Sequence, residues 1–181
     1  MPFFLATLLI GIGLSMDAFS LSILYGTLNL KKRKILWLSA IVGIYHFIMP
    51  LLGYLIGDHV LSKFILNPEI LVAIIFCVIA GQMLYSLKQE EEIKSLDGFF
   101  SLLLFGFTVS IDSFSIGMGF GTLQHTIFHI LFGSLMFSLI SCLFTYFGLS
   151  IGSTLSKKFG KMATFIGSII LFGMAIYYFF I

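Results

Sequence analysis

The sequence predicts an all-α membrane protein: six transmembrane helices in two inverted three-helix repeats, with both termini on the outer side. Three observations lead to this class. Hydrophobic residues make up 59% of the 181 residues and charged residues only 10%, with a mean hydropathy of +1.12, whereas soluble domains carry about 25% charged residues. The apolarity is continuous over helix-length windows and does not alternate, which disfavours a transmembrane β-barrel and favours helices, which satisfy their own backbone groups in lipid. The third observation is an internal repeat. Ten Lys and Arg against eight Asp and Glu leave a net charge of +2, too little to suggest a nucleic-acid partner. The long apolar runs exclude disorder.

A span needs about 20 predominantly apolar residues, and cutting the chain where charges and turn residues cluster gives spans over 3–25, 35–57, 70–87, 99–121, 127–152 and 162–181. The first is read as a retained span and not a cleaved signal peptide, because it lacks a basic leader and carries Asp17 in its apolar stretch. Lys31, Lys32, Arg33 and Lys34 fall between spans one and two, Lys88 and Lys94 between three and four, and Lys157, Lys158 and Lys161 between five and six. Only Lys63 falls on the other side. Positive residues concentrate in cytoplasmic loops, so these three loops are assigned to the cytoplasm and both termini to the outside. Residues 1–181 form a single transmembrane domain, with repeat one over 1–87, a cytoplasmic loop over 88–98 and repeat two over 99–181. The run Glu90, Glu91 and Glu92 reads as solvated loop. Cys77 and Cys142 lie inside spans without a C-x-x-C pairing and read as small buried apolar residues.

The repeat has an offset of 95 residues and no gaps. Gly13-Leu-Ser-Met-Asp17-Ala-Phe-Ser overlies Thr108-Val-Ser-Ile-Asp112-Ser-Phe-Ser, and Gly53 and Gly57 overlie Gly148 and Gly152. Each copy holds three spans, an odd number, so the second copy enters the membrane inverted, a plan typical of secondary transporters with mid-membrane substrate sites. At 100° per residue, Gly11, Ser15, Ala18, Ser22 and Gly26 share a stripe of span one, and Gly106, Ser110, Ser113, Gly117 and Gly121 share the equivalent stripe of span four. Small residues so placed let helices approach closely. A second face, Leu5, Ile12, Met16, Phe19 and Ile23 with partners Phe100, Phe107, Ile111, Phe114 and Met118, is assigned to lipid or bulky packing. A third face groups Asp17 with Ser20 and Gly13, and Asp112 with Ser115 and Thr108.

An Asp at the centre of a span costs roughly 2.5–3.5 kcal/mol on insertion scales, and no Lys or Arg lies at that depth to pair with either one. A duplicated pair fits a binding site for a cation, a proton or both. Low-dielectric surroundings favour the neutral acid and an arriving divalent cation reverses that balance, so the pair can exchange protons for metal. Ser15 and Ser110 add hydroxyl oxygens, and Ser20, Ser115 and Thr108 extend the same chemistry. Oxygen donors suit Mg, Ca and Mn. His46, four residues before Pro50, draws the site toward Mn, Fe, Co or Zn if it is a ligand or proton relay, and is otherwise a buried histidine bonded to a carbonyl. Gln82 is read as polar lining or packing, and His125 and His129 as interfacial. The candidate metal set is Asp17, Asp112, Ser15, Ser110 and His46. No cofactor is expected, and no nucleotide-binding motif is present. No enzyme is expected either: two intramembrane Asp also occur in aspartyl proteases, but neither Asp here sits in a G-x-G-D setting. The paired cysteines of a thiol-electron carrier are missing as well.

Four motifs, Leu-Ser-Met-Asp17-Ala-Phe-Ser, His46-Phe-Ile-Met-Pro-Leu-Leu-Gly-Tyr-Leu-Ile-Gly57, Gly81-Gln-Met and Val-Ser-Ile-Asp112-Ser-Phe-Ser-Ile-Gly, resemble the MntP family of bacterial manganese efflux pumps over essentially the whole chain. The resemblance implies six helices in two inverted halves and export of Mn²⁺ from the cytoplasm across the cell membrane, with the functional carboxylates at Asp17 and Asp112. Proton antiport is a further expectation, since no motif for nucleotide hydrolysis is present. The lipid bilayer and a divalent ion, carried as substrate, are the partners expected. Another divalent cation, or a cationic organic solute such as an amino acid, is the alternative substrate.

Overall fold

A computed structural model describes residues 3–28, 30–59, 67–88, 99–123, 126–152, 154 and 157–180. Lys63, Lys94, Glu90, Glu91, Glu92 and His125 lie outside the described residues. Seven helices occur among those described: α1 (Phe3–Gly26), α2 (Lys32–His59), α3 (Pro68–Ser86), α4 (Phe99–Val109), α5 (Ile111–Thr122), α6 (Ile127–Ile151) and α7 (Lys157–Phe179). Five have the length and apolarity to cross a membrane, and α4 with α5 passes the same test as a pair bent by 44°. The chain is therefore an all-helical, multi-pass membrane protein.

The boundaries follow local chemistry. α3 starts on Pro68 in its first turn, with Glu69 beside it, where a missing N–H costs nothing and a negative charge meets the helix dipole. α2 and α7 begin inside their basic clusters, so Lys32, Arg33, Lys34, Lys157 and Lys158 are helical rather than loop residues.

The main departure from expectation is span four, which is two helices and not one. Ser110 stands between them with φ −107° and ψ 2°, its N–H bonded to Phe107 O at 3.1 Å and its hydroxyl to Gly106 O at 2.7 Å. Serine hydroxyls that bond back to the preceding turn bend helices, and here Thr108, Val109 and Ile111 surround the serine with β-branched side chains, which favour a helical turn less. The first copy has Gly13, Leu14 and Met16 in those places, and α1 runs through Ser15 without a break.

α1 packs on α6 and α7, α5 on α2 and α3, α2 on α6, and α3 on α7. These pairings close a ring in which α1 and α5 stand opposite one another. One buried cluster joins α1, α3, α5, α6 and α7 through Ile10, Leu14, Phe76, Ile116, Phe137 and Leu171; a second joins α1, α2, α4 and α6 through Ala18, Leu38, Val42, Phe105 and Leu149. Outside the ring, Leu36, Trp37, Ile44, Leu55, Phe100 and Phe128 are exposed, a surface suited to hydrocarbon and not to water. Cys77 is on that exposed surface and Cys142 is half-buried, correcting the expectation that both are buried: α3 has only α5 and α7 to pack on, and Cys77 faces away from both clusters.

Every member of the two predicted small-residue stripes is buried. A Cβ on Gly26 would stand 2.9 Å from Gly152 Cα, and one on Gly57 would stand 3.0 Å from Gly121 Cα. These two contacts involve repeat-equivalent residues, so α1 on α6 and α5 on α2 use the same junction. The bulky face is mostly exposed or half-buried, with Ile23 as the buried exception.

Candidate functional site

Each S-x-D serine reaches across to a neighbouring helix. Ser15 on α1 and Ser141 on α6 share a hydrogen bond of 2.8 Å. Ser110, at the break, lies 2.9 Å from His46 Nδ1 on α2. His46 and Ser141 are themselves one repeat offset apart, so the two contacts are equivalent by position and differ in chemistry. Ser141 is the residue that the sequence did not single out; sliding His46 by 95 positions points to it.

His46 is fully buried. Its Nδ1 is 3.0 Å from Val42 O, which can only accept. Ser110 gives its single proton to Gly106 O, so toward the imidazole it also accepts. A proton on Nδ1, donated to both oxygens, satisfies the set and leaves the lone pair on Nε2. Nε2 is buried without a partner among the described residues, a state that costs about 1–3 kcal/mol. The expectation of a buried histidine bonded to a carbonyl thus holds for one nitrogen. Pro50, inside α2, has no N–H to offer the His46 carbonyl, so the same turn has an opened backbone.

The carboxylates lie on other faces. Gly160 of α7 sits against Ser20, and Gly167 against Gly13 and Met16, which turns the Asp17 face of α1 toward α7. On α5, Gly119 sits against Val72 and Ile75 of α3, and Asp112, seven residues earlier, shares that face. Both Asp faces therefore turn toward the α3–α7 pair, and both side chains are half-buried. Asp112 is in the first turn of α5, where backbone N–H groups have no intrahelical acceptor; Asp17 is mid-helix. Among the described residues no group of three or more His, Cys, Asp or Glu side chains is placed to hold a metal ion. The structure thus brings Ser110 to His46 and Ser15 to Ser141, and puts those pairs on the side of each span away from its Asp.

The remaining candidates are peripheral. Thr108 is exposed with its hydroxyl bonded to Leu104 O at 2.9 Å, and Gln82 is exposed. His129 shares a 2.6 Å hydrogen bond with Thr126 and packs on Phe3 with ring centroids 4.4 Å apart. Along the α1–α6 contact, Thr7, Ser22, Ser134 and Thr145 carry buried hydroxyls without partners among the described residues.

A bent pair of helices, five further apolar helices of spanning length and an apolar exterior define the class as a polytopic membrane protein. The family model described as "Putative manganese efflux pump" matches residues 29–179. Proteins named "Putative manganese efflux pump MntP" from Bacillus mycoides strain KBAB4 and Bacillus cereus strain B4264 are each 35% identical over 172 residues, covering 94% of this chain and 92% of theirs. One from Bacillus thuringiensis strain Al Hakam is 34% identical over the same extent. The chain belongs to the MntP family. No solved structure matches it.

Proposed function

We propose that this chain exports Mn²⁺ from the cytoplasm across the cell membrane as a proton-coupled secondary transporter. Its six spans, counting α4 with α5 as one, form two inverted three-helix halves with both termini outside. Asp17 and Asp112 supply the charged ligands, with Ser15, Ser110 and His46 setting the spans that carry them. The observation that carries this reading is the equivalence of the two S-x-D sites: each serine bonds to the residue that the repeat pairs with the other serine's partner. The helix pairings support it too, since exchanging the halves turns α1 on α6 into α5 on α2 and α1 on α7 into α5 on α3. A hard divalent ion suits two carboxylates and hydroxyl oxygens. The relatives named as manganese efflux pumps favour manganese among such ions, and efflux as its direction.

The test is cellular manganese in bacteria lacking their own exporter. Expression of the chain lowers it, and Asp17→Asn or Asp112→Asn, inserted in the membrane to the same amount, does not. Undiminished export by both variants defeats the ligand assignment, and unchanged manganese with the unaltered chain defeats the substrate. Coupling is read separately in everted vesicles, where collapsing the pH gradient stops manganese uptake; insensitivity to the gradient rules out proton antiport.

A further inference from the structure

We propose that His46 is a positioning residue for the cation site: its Nδ1–H bond to Ser110 holds span four open at that serine and so keeps Asp112 at the start of a helix. This rests on the reading that Asp112 binds the ion.

The two halves supply the comparison. Both place a serine two residues before the Asp, and both bond it across to an adjacent helix. Where the partner is Ser141, at 2.8 Å, α1 is continuous and Asp17 lies mid-helix. Where the partner is His46, at 2.9 Å, the span is broken at the serine, bends by 44° and begins a new helix whose first turn contains Asp112. An imidazole is a longer, stiffer donor than a hydroxyl. With its own Nδ1 also tied to Val42 O at 3.0 Å, it ties Ser110 to α2 as well as to its own span. Ser110 in turn commits its proton to Gly106 O, and its backbone N–H turns to Phe107 O at 3.1 Å, one residue short of a helical bond. The backbone N–H groups that open the next helix are then left without intrahelical acceptors beside Asp112. That places this carboxylate at a helix start, whereas Asp17 lies mid-helix. His46 acts on the ion through Ser110 and the break, so it belongs with the groups that orient ligands rather than with the ligands themselves.

The experiment uses the purified full chain in nanodiscs and two variants. His46→Ser installs the pair already present at Ser15, and His46→Gln keeps an N–H donor of similar reach. Amide hydrogen exchange across residues 108–114 reads the break, equilibrium dialysis reads the Mn²⁺ dissociation constant, and melting without metal reads the fold. The expected result for His46→Ser is slower exchange over that segment and an Mn²⁺ affinity about tenfold weaker, the scale of a lost orienting partner, with a cooperative metal-free melt showing that the variant still folds. His46→Gln retains fast exchange and an affinity within about threefold of the original. Unaltered exchange in His46→Ser, an affinity that does not move with the exchange, or equal losses in both variants overturns the proposal. A wild-type chain that binds no Mn²⁺ defeats the proposed function, and with it the effect assigned to Asp112; a wild-type chain that binds Mn²⁺ through Asp112 while His46→Ser changes nothing defeats the positioning role alone.

Discussion

The contact of α1 with α6 and that of α5 with α2 are built from equivalent residues, yet one is a pair of straight helices and the other a broken helix against a proline-bearing one. Along α1 and α6 the seam is lined with buried hydroxyls, from Thr7 and Ser134 at one end to Ser22 and Thr145 at the other. Along α2 and the α4–α5 span those places hold Leu102, Ser39, Gly117 and Pro50, with His46 between. Gly117 lies directly on the Pro50 backbone. The lesson is that the repeat keeps the glycine junctions that set helix spacing, while the residues between them differ so that one contact has an unbroken α1 and the other a span broken at Ser110. Opened backbone at membrane depth is tolerated where it is buried in protein or lines a site, and here it falls on the α2–α5 side.

Exchanging residues between the halves breaks this comparison most sharply. Gly117→Ser copies Ser22 into the tight side, where any Cβ meets the Pro50 backbone, and is expected to cost about 1–3 kcal/mol as overpacking; the reverse change, Ser22→Gly, costs below about 1 kcal/mol. Thermal unfolding in one detergent compares them, and equal losses contradict the asymmetry. Ser110→Ala removes the hydroxyl between His46 and Gly106 and is expected to weaken Mn²⁺ binding about tenfold in equilibrium dialysis, with Val42 still holding the imidazole. Val109→Leu with Ile111→Met gives span four the residues of span one, which do not branch at Cβ. A bias of about 1 kcal/mol toward a straight helix corresponds to a population shift of roughly fivefold, read as slower manganese uptake in everted vesicles with unimpaired melting. The smallest effect is expected from Ser15→Ala: the lost Ser141 bond is worth about 0.6 kcal/mol in a membrane, and transport stays near its original rate.

Much of this architecture is legible in the sequence, because hydropathy and charge act over whole segments. The six apolar windows correspond to α1, α2, α3, the α4–α5 pair, α6 and α7. The stripes of small residues are found buried because the 3.6-residue period fixes a face whatever it packs against. The break at Ser110 is not visible to a window average: Thr108, Val109 and Ile111 are as apolar as their neighbours on balance, and the two copies differ there in β-branching, set against Gly13, Leu14 and Met16, and in the serine's partner, His46 in one and Ser141 in the other. The division between the Ser–His face and the Asp faces was partly legible, since residues two apart on a helix point away from each other. Which neighbouring helix each face meets is a tertiary fact, as is the exposure of Cys77. The hydrogen-bonding of His46 likewise depends on Ser110 and Gly106, sixty or more residues distant in the chain.

The most direct measurement is the Mn²⁺ stoichiometry of the reconstituted chain, compared among the unaltered protein, Asp17→Asn, Asp112→Asn and the double variant. One ion shared by two carboxylates predicts one Mn²⁺ per chain, with either single change removing about as much affinity as both together, since groups that act as a unit are non-additive. Two ions per chain, each lost separately with its own Asp, would contradict a shared site.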